Sequence, residues 1–259
     1  MKEQILSYLP AGYPPEKLLY YATIGSTNTE AKKLAQAGAA AETVLFADCQ
    51  SAGRGRLGRS FLSPAGDGIY LSMILRPNRP ARELMHLTCA AATAVCDAAE
   101  EVLGFRPRIK WINDLVAGDK KLAGILTELS FDSLGNVEWA VVGIGFNCNQ
   151  SGFPKELEDI ACSAAMVTGR TVNRAKLAAA IIQHLADMDL SAADKTMAVY
   201  RRDCVTLGKD ITVIRGDLRR NGRALDVDSS GGLVVQYDDG ETETVSSGEV
   251  SVRGLFGYL

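Results

Sequence analysis

The chain has 259 residues, a length that suits one sizeable domain with a small second unit. Its net charge of -3 and pI near 5.5 argue against a general nucleic-acid-binding protein, since such proteins are usually basic. The six cysteines form no C-x-x-C pair and the chain has two histidines, so we do not expect a zinc site. The first residues lack a signal-peptide core and no apolar run is long enough to cross a bilayer, which predicts a cytoplasmic protein with reduced cysteines.

Hydrophobic periodicity, caps and turn residues predict the elements of the main domain. The first helix is expected to begin at Thr27, because residues 27–30 fit a capping box, and to end at Gly38. Several strands follow one another with little helix between them, which predicts an α+β fold with a mixed β-sheet and helices packed on it. The further elements, in chain order, are strands Thr43–Ala47 and Gly68–Leu75, a helix over 81–103, strands Arg108–Ile112, Leu122–Leu129 and Val137–Phe146, and a helix over Asn173–Tyr200.

The pattern of hydrophobic and turn residues changes after Leu207. Short alternating segments separated by Gly and Asp turns predict a small C-terminal all-β barrel. We therefore expect a main domain over 1–207 and a small β-barrel domain over 208–259. The predicted strands of the second domain are Ile211–Ile214, Arg219–Asp226, Leu233–Tyr237 and Glu241–Ser246.

The segment Gly53-Arg54-Gly55-Arg56-Leu57-Gly58-Arg59, called the arginine loop below, is the most informative motif. Its glycines allow the backbone to approach a ligand closely. Its arginines supply permanently charged donors that match carboxylate and phosphate oxygens. Alone, the loop also fits a solvated basic turn or a disordered RNA-binding segment. The acidic, apolar sequence around it weakens the disordered interpretation.

Four further motifs carry polar groups or bare backbone, and each also has an ordinary structural explanation. Ser26-Thr27-Asn28 stands at a helix start, where capping alone would explain it. Lys110-Trp111-Ile112-Asn113-Asp114 ends a strand, and Asn-Asp is a common turn pair. In Lys121–Leu126 a lysine opens an apolar strand that contains a glycine, and Gly143–Asn147 has alternating glycines that leave one strand face bare for a ligand or for a packed helix. No Walker loop or Ser/His/Asp set accompanies them, so the chemistry indicated is the gathering of anions by Arg and Lys.

Together and in this order, with Gln50 before the arginine loop, the five motifs closely resemble the biotin protein ligases, in their monofunctional form. The departures are Ile112 in place of a proline, Phe146 in place of an isoleucine, and Leu62 after Phe61 where an aromatic pair is common. The resemblance implies that biotin is activated with Mg-ATP to biotinyl-5′-AMP and then transferred to a lysine of a biotin carboxyl carrier protein. The segment 1–207 would be the catalytic domain.

The resemblance also implies residue roles. Arg56 and Lys121 would act on the two anions of the first step, and Asp114 would orient or deprotonate the incoming lysine amine. The biotin-binding residues implied are Ser26, Thr27, Asn28, Gln50, Arg54, Gly55, Arg56, Lys121, Gly124, Gly143 and Gly145. The ATP-binding residues implied are Arg56, Arg59, Phe61, Lys110, Asn113, Lys121 and Asn147. Mg²⁺ is expected with ATP, without assigned protein ligands.

Three alternatives remain beside this interpretation. They are a lipoate- or octanoate-type ligase or acyltransferase, a nucleic-acid-binding regulator, and an inert biotin-binding module. Because about 25 residues precede Ser26, we expect no DNA-binding domain and no specific DNA partner. No membrane partner is expected. The expected protein partner is the biotin carboxyl carrier domain of acetyl-CoA carboxylase or of a related carboxylase, and the sequence does not decide between them. It also leaves open whether the protein forms a homodimer.

Overall fold

The computed structural model describes residues 1–246 and 250–254. The predicted α+β architecture is confirmed: helices pack on a mixed sheet, and a separate antiparallel sheet follows. The helices are α1 Lys2–Leu6, α2 Thr27–Gln36, α3 Leu87–Leu103, α4 Ala164–Thr168, α5 Arg174–Ala186 and α6 Ala193–Asp203. The strands are β1 Leu18–Ile24, β2 Val44–Gln50, β3 Gly68–Leu75, β4 Arg79–Pro80, β5 Arg108–Lys110, β6 Asp114–Ala117, β7 Lys120–Phe131, β8 Asn136–Asn147, β9 Asp210–Arg215, β10 Leu218–Val227, β11 Leu233–Tyr237, β12 Thr242–Val245 and β13 Val250–Gly254.

The first sheet has the order β1-β2-β3-β8-β7-β6-β5, with β4 paired to β8. Only the β1–β2 pair is parallel among the described strands, and this makes the sheet mixed. In the long β7–β8 ladder Gly124 lies opposite Gly145, and Leu126 lies opposite Gly143. The bare glycine backbone predicted from the sequence is therefore concentrated where these two central strands pair.

Two buried clusters lie on the two faces of the sheet. Alternate residues of a strand belong to different clusters, because successive side chains along a strand point to opposite faces. Val44 and Phe46 of β2 belong to the larger cluster, which α3, α5 and α6 cover. Leu45 between them belongs to a smaller cluster that Ala31 and Ala35 of α2 cover. The N-terminus of α2 is thereby held against the sheet beside β2.

Three local predictions were wrong in their boundaries. The helix predicted over Asn173–Tyr200 is two helices, α5 and α6, separated by a turn in which Asp189 Oδ1 accepts a hydrogen bond from the Ser191 amide at 2.9 Å. The helix predicted over 81–103 begins at Leu87, because residues 81–83 form a separate 3₁₀ turn. The cap of α2 is Ser26 rather than Thr27, whose hydroxyl hydrogen-bonds to Gln50 instead.

The C-terminal unit is all-β, as predicted. Its strands form an antiparallel sheet in the order β12-β11-β10-β9-β13, and within residues 210–246 and 250–254 the edge strands β12 and β13 are not paired to each other. The remainder of the predicted 208–259 domain, residues 247–249 and 255–259, lies outside the described residues. The domain boundary at residue 207 stays a prediction.

Among the described helices, none has the length and apolar character that crossing a bilayer requires.

Candidate active site

A cleft of about 510 Å³ lies where the start of α2, the arginine loop and strands β6, β7 and β8 come together. All five sequence motifs contribute to it. The predicted site residues that line it are Ser26, Thr27, Asn28, Gln50, Arg54, Gly55, Arg56, Arg59, Phe61, Lys110, Asn113, Asp114, Lys121, Gly124, Gly143 and Gly145. Tertiary folding therefore brings together motifs that stretch from Ser26 to Gly145 in the chain.

Asn147 is the one predicted site residue that does not line this cleft. Its side chain is buried, donates a hydrogen bond to the Cys162 carbonyl at 3.1 Å and accepts one from Gln150 Nε2 at 3.3 Å. Both ends of its amide are thus engaged in holding the segment that follows β8.

One end of the cleft is polar because the start of α2 is bonded to Gln50. The Thr27 amide and hydroxyl donate to Gln50 Oε1 at 2.8 and 3.1 Å. Gln50 Nε2 in turn donates to Ser63 Oγ at 3.0 Å. Ser26, the cap of α2, accepts from the Thr29 amide at 3.5 Å. This end offers closely spaced donors and acceptors of the kind that a small ring with N–H and C=O groups requires.

The Asn28 side chain packs against the backbone of Gly143, where no side chain intervenes. A methyl group on Gly143 would overlap Asn28 Oδ1, so a larger residue there would displace the amide. Asn28 Oδ1 accepts from Ser72 Oγ at 2.6 Å, and Nδ2 donates to the Leu126 carbonyl at 3.1 Å. Gly143 thus accommodates a side chain of helix α2, which fits the second of the two alternatives left open by the sequence, a ligand or a packed helix.

Phe61 covers the two neighbouring glycines in a similar way. A methyl group on Gly145 would lie 2.6 Å from the Phe61 ring, and one on Gly124 would lie 3.5 Å from it. The ring also makes an edge contact with Tyr70, with centroids 6.4 Å apart. Phe61 consequently forms an apolar part of the cleft lining over the glycines of β7 and β8.

The charged centre contains Arg56 and Lys121. Arg56 donates to Asn113 Oδ1 at 3.1 Å, and Asn113 donates to the Ile125 carbonyl at 2.9 Å. Lys121 Nζ lies 2.6 Å from Asp114 Oδ1. Burial and the Arg59 charge lower the pKa of Arg56 while the Asp114 carboxylate raises it, yet a guanidinium stays protonated at neutral pH. Arg56 and Lys121 are thus two of the five cationic side chains that line the cleft in the described part of the chain, an arrangement suited to binding two anionic groups side by side.

Hydrogen bonds of the neighbouring residues Trp111 and Ile112 hold the turn that carries Asn113 and Asp114. The Trp111 amide donates to Thr206 Oγ1 at 2.9 Å, and its indole N–H donates to the Gly231 carbonyl at 2.9 Å. The fully buried Tyr200 donates to the Ile112 carbonyl at 3.1 Å. Gly231 belongs to the turn that joins β10 and β11, so the C-terminal unit helps to position the polar turn.

Sequence reasoning missed part of the lining. Ile160 belongs to the segment after β8, and its carbonyl accepts a hydrogen bond from the Lys121 amide at 2.8 Å. Val252 comes from the C-terminal sheet. Neither residue stands in a motif, so no local signal could identify them. The remaining unpredicted lining residues are Leu57, Ser60, Leu71, Trp111, Ile125, Leu126 and Ile144.

Comparisons with known proteins identify one family. Residues 20–147 match the model of the biotin/lipoate A/B protein ligase family, and residues 206–253 match that of the biotin protein ligase C-terminal domain. The chain is 33% identical to the bifunctional ligase/repressor BirA of Bacillus subtilis, over 87% of this chain and 71% of that protein. It is 31% identical to the biotin--[acetyl-CoA-carboxylase] ligase of Mycobacterium tuberculosis, over 96% of this chain and 93% of that protein.

The fold is also similar to a solved structure. The biotin protein ligase of Aquifex aeolicus in complex with biotin and ATP superposes with a TM-score of 0.77 at 28% identity, covering 92% of this chain and 98% of that one. The similarity extends over both sheets. With the relatives above and the motifs gathered in one cleft, it shows that the chain belongs to the biotin protein ligase family.

Proposed function

We propose that this enzyme, a biotin--[acetyl-CoA-carboxylase] ligase, works in two steps within the cleft. In the first, a carboxylate oxygen of biotin attacks the α-phosphorus of ATP, the bond to the β-phosphate oxygen breaks, and pyrophosphate leaves. In the second, a lysine amine of a carrier domain attacks the carbonyl carbon of biotinyl-5′-AMP, AMP leaves, and the amine loses a proton. The observation that carries this proposal is that Arg56 and Lys121 line the same cleft as the polar groups of Gln50.

Arg56 and Lys121 neutralise the carboxylate and the α-phosphate in this proposal. Two anions repel each other in the approach that forms the anhydride, so fixed cations stabilise the transition state more than the separated substrates. Arg59, Lys110 and Asn113 surround the nucleotide, and Asp114 orients the incoming amine. Phe61 forms part of the wall against which the bound nucleotide and biotin pack.

The polar end of the cleft holds the ureido ring of biotin. Thr27 and Gln50 present hydroxyl and amide groups that are already fixed by hydrogen bonds, which reduces the ordering that binding requires. Ser26, Asn28, Arg54 and Gly55 complete this end. Gly124, Gly143 and Gly145 leave room for the side chains that form the wall of the channel.

Mg²⁺ fits the site as a companion of the ATP phosphates. Across the described part of the chain, no three His, Cys, Asp or Glu side chains group closely enough to hold a metal. Mg²⁺ commonly takes most of its ligands from substrate phosphates and water, with one or two carboxylates, so such a group is not required. When bound, the ion supplies positive charge to the phosphate chain, and the residues above supply the charge at the reacting atoms.

The partner proposed is the biotin carrier domain of a carboxylase. We also propose residues 1–207 as the catalytic domain and 208–259 as a separate β-domain. That the chain binds no specific DNA operator stays a prediction, which a gel shift at physiological salt with promoters of biotin-synthesis genes would test.

The direct test is incubation of the protein with biotin, Mg-ATP and a carrier domain, followed by mass measurement of the carrier. We expect a mass increase equal to one biotinyl group, dependent on ATP and abolished when the acceptor lysine is replaced by arginine. Lipoate and octanoate, offered in place of biotin, are the matched controls. Modification by either of these acids and not by biotin would contradict the proposal.

A further inference from the structure

The carboxylate of Glu128 lies where α2, the arginine loop and β7 meet. Lys32 Nζ is 2.7 Å from Glu128 Oε1, and Asn28 Nδ2 donates to Oε2 at 3.1 Å. Arg54 NH1 lies 3.7 Å from Oε1. The Glu128 side chain is 21% exposed, so these partners surround a largely buried charge. The sequence motifs ended at Leu126 and did not single this residue out.

Two of these contacts fix the carboxylate itself. Lys32 and Asn28 both belong to α2, which packs on the sheet through Ala31 and Ala35. Asn28 is fixed in turn by Ser72, whose hydroxyl donates to Oδ1 at 2.6 Å. The carboxylate therefore has a defined place relative to the sheet, set by partners that do not belong to the arginine loop.

The third contact is of a different kind. At 3.7 Å the Arg54 guanidinium is beyond hydrogen-bond distance but within the range of an ion pair. The Arg54 side chain is also 47% exposed and lines the cleft. The ion pair thus attracts the Arg54 guanidinium without closing to a hydrogen bond, and the Arg54 side chain keeps a large exposed fraction at the cleft.

The charge on Glu128 persists at neutral pH. Burial alone would raise the pKa of Glu128, but the hydrogen bonds from Lys32 and Asn28 and the charges of Lys32 and Arg54 outweigh it and hold the pKa below its usual value. A permanent negative charge at this point is a counter-charge that limits where the long Arg54 side chain can lie.

We propose that Glu128 is a positioning residue that acts through Arg54 on biotin binding. It reaches no ligand itself: it holds the guanidinium over the cleft, so that less side-chain freedom is lost when biotin binds. Loss of this charge should weaken ground-state binding while leaving the chemical step, which depends on Arg56 and Lys121, largely intact. The inference rests on the proposed function.

The test is Glu128→Gln, assayed for biotin-dependent pyrophosphate release. We expect the KM for biotin to rise about tenfold with kcat within about threefold, as for loss of a partly buried charge pair. Glu138→Gln is the matched control, because Glu138 is an exposed glutamate on β8, and it should leave both constants unchanged. Thermal melts establish that each variant is folded.

Action through Arg54 is tested by a double-mutant cycle. In an Arg54→Ala background, Glu128→Gln should change the KM for biotin by less than about twofold, whereas a merely structural role would give multiplying effects. If Glu128→Gln does not fold, Lys32→Met loosens the same carboxylate and should show a smaller KM increase with the same dependence on Arg54.

The outcomes separate the two proposals. A wild-type protein that releases no biotin-dependent pyrophosphate would contradict the proposed function, and the role of Glu128 with it. A wild-type protein that is active, with a KM for Glu128→Gln within twofold of wild type or with an undiminished effect in the Arg54→Ala background, would overturn the positioning role alone.

Discussion

Lys121 Nζ lies 2.6 Å from Asp114 Oδ1, across the neighbouring strands β6 and β7. The family resemblance implies that Asp114 acts mainly in the second step, where it orients or deprotonates the incoming amine. The ion pair gives it a second effect. A carboxylate at this distance fixes the direction of the flexible lysine side chain, which must reach into the cleft during the first step.

Replacement of Asp114 by asparagine should therefore slow both steps. We expect adenylate formation to fall about tenfold, because Lys121 loses its fixed partner, and transfer to fall further, because the amine is no longer oriented. Pyrophosphate release measures the first step, and supplied biotinyl-5′-AMP with a carrier domain measures the second. Wild-type pyrophosphate release with slow transfer would show that the ion pair has no part in activation.

Removal of the Arg56 guanidinium should act mainly on the transition state of the first step. Loss of one such donor typically costs about 3–4 kcal/mol, or roughly 100- to 1,000-fold in rate. We expect this loss in Arg56→Ala and a partial recovery in Arg56→Lys, which retains the charge but not the forked donors that reach Asn113. The assay is biotin-dependent pyrophosphate release, and a rate for Arg56→Ala within threefold of wild type would remove Arg56 from the mechanism.

A methyl group at position 143 should damage the polar end of the cleft. Because it would overlap Asn28 Oδ1, Gly143→Ala must displace an amide that is bonded to Ser72 and Glu128. Overpacking of this kind costs about 1–3 kcal/mol, so we expect a lower free energy of unfolding and weaker biotin binding.

Gly152→Ala is the control for this substitution. No atom lies within 4 Å of the position that its methyl group would take. Urea unfolding and calorimetric titration with biotin should leave this variant at wild-type values. Equal effects of the two substitutions would mean that the contact with Asn28 is not the cause.

The arginine loop should become less accessible to protease when substrates bind. Three glycines give its backbone high conformational freedom, and its three arginines repel one another until an anion is present. Trypsin cleavage between Arg54 and Arg59 should therefore slow in the presence of biotin and Mg-ATP, and less so with Mg-ATP alone. The same rate with and without substrates would indicate a loop that is already fixed in its binding conformation.

The sequence by itself determined the parts of this protein that depend on short stretches of chain. The residue types and spacing of the arginine loop and of Lys110–Asp114 indicate a site that binds anions. The strands from β9 to β12 follow from local alternation and turn residues, because side-chain direction along a strand repeats every second residue. These signals also sufficed to indicate the family, since the motifs occur in a fixed order.

Only the tertiary structure decided which of those stretches contact one another and through which side chains. Gly143 and Gly145 were recognised as bare backbone, but which side chains cover them depends on the position of α2 and of the arginine loop relative to β8. The pairing of Glu128 with Arg54, and the entry of Val252 into the cleft, join residues that are distant in the chain. Such contacts are set by sheet order and packing, which no local pattern encodes, because each depends on the simultaneous placement of several elements.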